Sequence, residues 1–291
     1  MYKDMYGNNR LKVGLHIHTT NSDGKATPEE AARIYKEAGF DAIALTDHWK
    51  YNPESELSGL KIISGAEYNI GGGNSMDGVI HIVGAGMKEA PELNRETATA
   101  QEIIDEVKRC GGLAILAHPA WSLNTPEMIQ PLKGIEGVEI YNSVSNAGQS
   151  TRPYSGYFID IMANMGITYP ILATDDTHYY EGADETKSYI MVNAEENTTE
   201  AILDAIRKQD FYATQGPEVH IRRDGDKIIA DCSECVLITF LSNAVWAPTK
   251  TYRGDNLTHA EYTKRDFDKW VRVEVTDKSG NSAWTNILEI E

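Results

Sequence analysis

The chain has 291 residues, with 27 Lys and Arg against 44 Asp and Glu, so its formal net charge is −17. A surface this acidic repels phosphate backbones, so we expect no extended nucleic-acid partner, although a small anionic substrate can bind beside metal cations. No apolar run is long enough to span a bilayer, no signal sequence is visible and three cysteines are too few for a disulfide framework, so we expect a cytoplasmic protein that does not enter a membrane.

An apolar run near the N-terminus ends in two histidines and is followed by a carboxylate. In this segment, VGLHIHTTNSD, His16 and His18 are two residues apart, and Asp23 lies on the loop that follows. Alternate residues of a strand share a face, so both imidazoles would project from one strand end, at a spacing that suits one metal ion. A surface strand with two incidental histidines would look the same locally, so the choice depends on the rest of the chain.

A well-signalled helix and a second strand come next. Thr27 is a typical N-cap, Pro28 a typical first helical residue, Glu30 completes a capping box, and Gly39 is a natural stop. The following apolar run ends in Asp47 and His48. This strand–helix–strand order with short loops predicts a βαβ unit with parallel strands.

The alternation continues to about residue 215. Helices are predicted at about 95–109, 126–132, 154–165 and 198–209, and about seven apolar strands lie between the helices. Near-continuous apolar strands are typical of a parallel sheet covered by helices, so we predict an α/β fold. Polar residues recur at strand C-termini, the position of active sites in α/β barrels. His81 instead lies within its strand, so as a ligand it should point into the barrel mouth.

The pattern changes after about Gly216. Alternating strands and turn signals replace the helices, with expected hairpin turns at residues 223–225 and 278–281. We therefore predict two domains: a hydrolase-like domain at residues 1–215 and a small antiparallel β domain at residues 216–291.

The polar residues at strand ends form the constellation that carries the chemistry. Six of the eight histidines belong to it, and burying so many titratable groups is costly unless they are paired or bind cations. Any single member has an ordinary structural explanation, such as an Asx turn for Asp23 or a hydrogen-bonded core histidine for His81. Imidazole and carboxylate ligands suit zinc, manganese or iron, and this many ligands imply two to three divalent metal ions. The constellation is His16, His18, Asp23, Asp47, His48, Glu67, His81, His118, Asp175, Asp176 and His178.

The ordered motifs L-H-I-H-T-T-N-S-D-G, T-D-H, A-E-Y, H-I-V-G, A-H-P and D-D-T-H resemble the polymerase and histidinol phosphatase (PHP) superfamily over residues 11–215. The resemblance implies a distorted seven-stranded β/α barrel with up to three divalent metals. In D-D-T-H, the D-x-H pattern of the family selects Asp176 rather than Asp175. The resemblance implies these groups of metal ligands: His16, His18, Glu67 and Asp176; Glu67, His81 and His118; Asp23, His48 and His178.

The D-D-T-H motif, the trailing β domain and its A-W-T-N ending further resemble the branch that contains carbaryl-hydrolase-like metallohydrolases. That branch is commonly labelled as phosphoesterases, so the resemblance implies a phosphoric ester hydrolase of EC 3.1 type.

We therefore expect hydrolysis of a small phosphorylated metabolite or nucleotide by a metal-bound hydroxide. Glu67 and Asp176 would orient that hydroxide, and His178 or His18 would protonate the leaving group. The alternatives are a metal-dependent hydrolase of a non-phosphate ester, carbamate or amide, and a metal-binding regulatory module.

Substrate contacts are expected from loops at the same strand ends. Asn142, Ser143 and Arg152 follow the sixth strand, and a guanidinium suits bidentate phosphate binding. An ordinary surface arginine would fit the pattern of Arg152 equally well. Aromatic residues that flank ligands could stack on a base or serve only for packing, namely Trp49, Tyr51, Tyr179 and Tyr180. The sequence indicates no oligomeric state.

Overall fold

The computed structural model describes residues 2–72, 74, 76, 78–146 and 151–290. The strands are β1 (Tyr2–Lys3), β2 (Asn9–Gly14), β3 (Ala42–Ala44), β4 (Ser55–Leu57), β5 (Leu60–Ile63), β6 (Gly65–Ile70), β7 (Ile80–Ala85), β8 (Leu113–Leu116), β9 (Gly137–Asn142), β10 (Ile171–Thr174), β11 (Tyr189–Asn193), β12 (Phe211–Thr214), β13 (Val219–Asp224), β14 (Lys227–Ser242), β15 (Thr251–Thr263), β16 (Trp270–Thr276), β17 (Ser282–Trp284) and β18 (Leu288–Glu289). The helices are α1 (Pro28–Glu37), α2 (Ala100–Arg109), α3 (Pro126–Ile129), α4 (Gly156–Asn164) and α5 (Thr199–Arg207).

Helix α1 forms as its sequence predicts. The Thr27 side chain accepts a hydrogen bond from the Glu30 amide, and the Glu30 side chain accepts one from the Thr27 amide. The chain leaves the helix at Gly39, whose φ of +80° lies in the left-handed region that favours glycine. The helix connects β2 to β3, which pair in parallel, so the predicted βαβ unit is confirmed.

Helix α2 is shorter than predicted. The sequence predicts a helix from about Arg95, but the helix begins at Ala100 because Thr99 and Glu102 form a second capping box there. The other helix boundaries differ from the predicted ones by three residues or fewer, which is the usual uncertainty at frayed ends.

Two sheets enclose the core beneath the histidine-rich strand ends. One contains the run β12-β11-β2-β3-β5-β4, and the other has the order β10-β9-β8-β7-β6. Isolated bridges pair Ile17 with Thr177 and His48 with Glu67, so the two sheets approach each other at their polar ends. Buried side chains from both sheets fill one hydrophobic cluster, including Val13, Ala44, Ile82, Leu116 and Leu172.

The expectation of a uniformly parallel sheet is wrong. Parallel pairs occur at β2/β3, β3/β5, β8/β9 and β9/β10, but β6/β7, β7/β8, β2/β11 and β11/β12 are antiparallel. Residues 71–79 connect β6 to β7, and this segment is too short for the crossover that a parallel pair needs. The architecture is therefore mixed α/β.

The C-terminal part is an antiparallel β structure, as predicted. Asp224 pairs with Lys227 and Thr276 pairs with Ser282, so both predicted hairpins are confirmed. Strand β17 also pairs with β12, which joins this part to the larger sheet. The boundary between residues 215 and 216 falls between β12 and β13 and stays a prediction. Among the described residues, no helix combines the length and apolar character needed to cross a membrane.

Candidate metal centre

The residues after β2 place two imidazoles side by side in the interior. His16 and His18 are both fully buried, and their Nε2 atoms are 3.2 Å apart. The other ring nitrogen of His16, Nδ1, lies 2.8 Å from Oε1 of Glu139. A carboxylate at Nδ1 holds the proton there and leaves the Nε2 lone pair free to bind a metal.

Glu67 and Asp176 complete a first group of four ligand atoms around these imidazoles. Asp176 Oδ1 lies 3.2 Å from His16 Nε2 and 3.1 Å from His18 Nε2, while the Glu67 oxygens lie 3.5 Å and 3.3 Å from the same two nitrogens. Ligand atoms about 2.0–2.1 Å from a zinc ion would lie about 3.3–3.4 Å apart at the corners of a tetrahedron. The observed separations match that geometry.

One oxygen of this first group receives no hydrogen bond from the part of the chain that the structure describes. Asp176 Oδ1 is buried, and no described residue forms a hydrogen bond with it, although two imidazole nitrogens are within 3.2 Å. A buried carboxylate oxygen without a donor is costly, and a cation at the centre of the group would remove that cost. The residues therefore fit a metal ion.

Glu67 also belongs to a second group, with His81 and His118. Its Oε1 atom lies 2.9 Å from Nδ1 of His81 and 3.4 Å from Nε2 of His118. His81 reaches this point from within β7, and His118 follows β8 with a φ of +28°. Unusual backbone geometry of this kind is often found at functional sites.

Asp23, His48 and His178 form a third, more open group beside His18. Asp23 Oδ1 lies 3.4 Å from His178 Nε2, and Oδ2 lies 3.8 Å from His48 Nε2. His178 Nδ1 lies 2.7 Å from the Asp176 carbonyl oxygen, which turns Nε2 toward Asp23. The Asp23 side chain is 56% exposed, whereas the carboxylates of the first group are buried.

The electrostatics of the three groups favour bound positive charge. Burial disfavours the charged carboxylates, but neighbouring imidazoles outweigh it and hold the pKa values of Glu67 and Asp176 well below their usual range. Burial also disfavours protonation of His178, yet Asp23 and Asp176 raise the pKa of His178 to about 9. Without metals the imidazole of His178 carries positive charge in the third group, and a metal ion there would compete with that proton.

Glu139 is the main residue that the sequence analysis missed. It is fully buried in β9, where Oε1 contacts His16 Nδ1 and Oε2 accepts hydrogen bonds from the His118 amide at 2.8 Å and the Asn142 side chain at 2.9 Å. The only available signal was a single carboxylate inside an apolar strand. Asp184 was also missed, and its carboxylate accepts hydrogen bonds from three successive amides that begin at His178.

Asp47 and Asp175, both members of the polar constellation, have structural contacts instead. Asp47 accepts hydrogen bonds from the amide and hydroxyl of Thr19, and from Ser22 and Asn52. Asp175 accepts hydrogen bonds from the hydroxyls of Tyr35 and Ser143 and from two amides, and its burial raises its pKa to about 6.

The three expected substrate contacts lie in different environments. The Asn142 amide donates to Asp176 at 3.1 Å as well as to Glu139, so it orients a carboxylate of the first group. The Ser143 hydroxyl lies between Asp175 and Ser188. Arg152 is exposed and lines a separate, largely apolar cavity of about 640 Å³. Their roles in substrate binding stay predictions.

A cavity of about 270 Å³ opens over the three groups. Its walls combine ligand candidates from all three groups with Trp121, Ser145 and Tyr179. Of the other aromatic residues considered from the sequence, Trp49, Tyr51 and Tyr180 donate hydrogen bonds to the carbonyl oxygens of Asn69, Met87 and His18. These contacts are consistent with packing roles.

Comparisons with known proteins give one family and several distant structural likenesses. A family model described as PHP domain matches residues 14–211. An uncharacterized protein of Methanocaldococcus jannaschii is 28% identical over 151 residues, which cover 47% of this chain and 85% of that protein.

Among solved structures, one match is a two-domain protein from Bacteroides vulgatus that is described as containing a predicted PHP-like metal-dependent phosphoesterase. The match covers 99% of this chain and 98% of that chain, with a TM-score of 0.55 and 17% sequence identity. This likeness is one of fold. A lesion-specific endonuclease from Pyrococcus furiosus matches 69% of this chain and 56% of its own with a TM-score of 0.44 and 18% identity, which is too distant to support an argument.

Proposed function

The chain belongs to the PHP domain family, and from this premise we propose that it is a metal-dependent hydrolase of phosphate esters of small molecules. The observation that carries the proposal is the first group of ligand atoms. Four side chains from three separate segments meet there at separations that suit a tetrahedral metal, and the buried Asp176 Oδ1 has no hydrogen bond from any described residue. A bound cation would satisfy that buried oxygen.

The three groups described above would hold the metals, and Glu67 is a member of both the first and the second group. Zinc, manganese and iron all suit imidazole and carboxylate ligands, and the number of groups allows two or three ions. Bound divalent metals lower the pKa of a coordinated water from 15.7 to about 7 and polarise phosphoryl oxygens.

The protein's own residues position the reactants. In this proposal Glu67 and Asp176 hold their oxygens towards the cavity and orient the attacking water, and Asn142 keeps Asp176 in place through its second oxygen. His178 directs Nε2 towards the cavity and carries a proton when the third group holds no metal, so it can protonate the leaving oxygen in a two-metal form.

The size and lining of the cavity support a small substrate. A volume of about 270 Å³ is near the lower end for ligand pockets, which suits a small ligand or a single nucleotide. We therefore keep a small phosphorylated metabolite or nucleotide as the proposed substrate, and a cytoplasmic location as a further proposal.

A second candidate is hydrolysis of a carbamate or another non-phosphate ester, as in the carbaryl-hydrolase-like branch. No Lys or Arg is found among the described residues that line the cavity. A neutral substrate would therefore leave no buried cationic side chain without a partner. The choice between the two reactions depends on turnover.

The test combines metal analysis with hydrolysis assays. Protein purified without chelator should contain two to three metals per chain and release phosphate from p-nitrophenyl phosphate, its diester analogue or nucleotides in the presence of Mn²⁺ or Zn²⁺. His16→Ala should abolish both metal binding at the first group and turnover, whereas His259→Ala, which removes a half-exposed imidazole in β15, should change neither.

Turnover of p-nitrophenyl carbamate without phosphate release would select the second candidate. Less than one metal per chain after reconstitution would refute the assignment of the metal centre.

A further inference from the structure

Trp121 forms a wall of the cavity beside the second ligand group. Its ring centroid lies 4.9 Å from that of His118 and 5.7 Å from that of His81. Tyr179, next to His178, forms another part of the wall. Trp121 and Tyr179 are the aromatic residues, other than histidine, among the described residues that line the cavity.

The loop that carries Trp121 is held by several hydrogen bonds. The Ser122 amide donates to the His118 carbonyl at 3.1 Å, and the Asn124 amide donates to the Pro119 carbonyl at 2.9 Å. The Asn124 side chain also donates to the Val79 carbonyl at 2.6 Å, which fastens the loop to the start of β7. These contacts hold the backbone on either side of Trp121, and the ring contacts with His118 and His81 restrict the indole, so little entropy is lost when a ligand packs against it.

The chemistry of the wall limits how a substrate can be selected. The ligand candidates would hold the phosphate through metals, and that interaction is common to all phosphate esters. Without Lys or Arg among the described lining residues, the remaining contacts are the aromatic faces and the Ser145 hydroxyl. Discrimination among leaving groups should therefore come from packing and stacking.

We propose that Trp121 selects substrates whose leaving group is aromatic, by stacking its indole on that ring while the phosphate occupies the metal centre. This inference rests on the proposed phosphoesterase function. Aromatic pairs add about 0.5–1.5 kcal/mol beyond buried area, which corresponds to a preference of roughly 2- to 10-fold.

The experiment compares phenyl phosphate with cyclohexyl phosphate in the metal-loaded protein. The two alcohols differ in acidity, so the quantity of interest is the change in the phenyl-to-cyclohexyl ratio of kcat/KM between the wild type and Trp121→Ala. Leaving-group acidity affects the wild type and the variant equally, so it cancels from this comparison. The ratio should be about 2- to 10-fold lower in Trp121→Ala than in the wild type. Trp121→Phe, which retains an aromatic ring, should restore most of the preference.

Two controls separate stacking from damage to the metal centre. The metal content of each variant is measured first, because Trp121 contacts two ligand candidates. Trp246→Ala removes a tryptophan that is 78% exposed in the segment between β14 and β15, and it should leave the ratio unchanged.

Calorimetric binding of phenylphosphonate and cyclohexylphosphonate gives a readout that needs no turnover. A wild-type preference for the phenyl compound that disappears in Trp121→Ala supports the inference even if no ester is cleaved, in which case only the phosphoesterase proposal fails. An equal phenyl preference in the wild type and in Trp121→Ala, with metal content intact, would overturn the inference.

Discussion

Replacing Glu139 by glutamine should weaken metal binding although Glu139 belongs to none of the three ligand groups. The carboxylate accepts three hydrogen bonds, at 2.8 Å from His16 Nδ1, 2.8 Å from the His118 amide and 2.9 Å from the Asn142 side chain. Glutamine has one acceptor oxygen, and this oxygen best replaces Oε2, which accepts two of the three bonds. The new NH₂ group then faces His16 Nδ1 and favours the tautomer that carries its proton on Nε2, where the metal lone pair is needed.

Partners of this kind change metal affinity by about 10- to 100-fold, which corresponds to about 1.4–2.8 kcal/mol. Competition with a chromophoric chelator at fixed pH measures the loss for Glu139→Gln. Circular dichroism of the metal-free protein shows whether the fold is intact. Glu89→Gln, at a glutamate that is 63% exposed and paired with Arg109, is the matched control and should bind metal normally. A Glu139→Gln protein that folds and binds metal within threefold of the wild type would refute this account of the tautomer.

Three further changes test the architecture and the third ligand group. Arg272 is fully buried, and its Nε lies 2.7 Å from Oδ1 of Asp160 in α4. Arg272→Ala should therefore lower the free energy of unfolding by about 3 kcal/mol, as measured by urea titration. An unchanged free energy of unfolding would contradict the role of this pair. The pKa of His178 is raised in the folded protein, so protonated His178 contributes to the free energy of unfolding of the metal-free protein. This contribution is fully present below pH 6.5 and is lost as the pH rises through about 9. The unfolding free energy of the metal-free wild type should therefore fall between pH 6.5 and pH 9. Asp23→Asn should make this fall smaller by about 1–2 kcal/mol, a value that allows for the exposure of Asp23. Wild-type and variant curves that run parallel over this pH range would contradict the coupling. A Cβ at Gly24 would lie 2.4 Å from the carbonyl of His18, so Gly24→Ala should displace the Asp23 loop and reduce metal stoichiometry by about one per chain, and full stoichiometry would show that the loop adapts.

The local signals in the sequence were sufficient where neighbouring residues decide the outcome. Thr27, Pro28 and Glu30 predict the start of α1 because a helix cap is formed by residues within one turn. The hairpin turns at residues 223–225 and 278–281 were predicted for the same reason. The expected start of α2 near Arg95 was wrong because Thr99, four residues further on, caps the helix together with Glu102.

The expected substrate contacts show where local patterns are insufficient. Asn142 and Ser143 are polar residues at a strand end, and the sequence cannot show whether such residues face a cavity or another buried group. In the structure Asn142 donates to Asp176, and Ser143 donates to Asp175, two carboxylates more than thirty residues away along the chain. Burial of those carboxylates requires donors, so hydrogen bonding occupies these two side chains.

The sequence by itself determined the α/β class, the antiparallel C-terminal part and the residues to consider as metal ligands, because each follows from local periodicity and from the unusual position of histidines at strand ends. The family resemblance of its motifs also predicted which of those ligands group around Glu67. Only the tertiary structure decided which strands run antiparallel, that Glu139 contacts His16 and His118, and that Trp121 lines the cavity over the ligand groups. The reason is that hydrogen bonds and ligand distances depend on strands brought together from distant parts of the chain, and the sequence pattern of one strand carries no information about the side chains that face it.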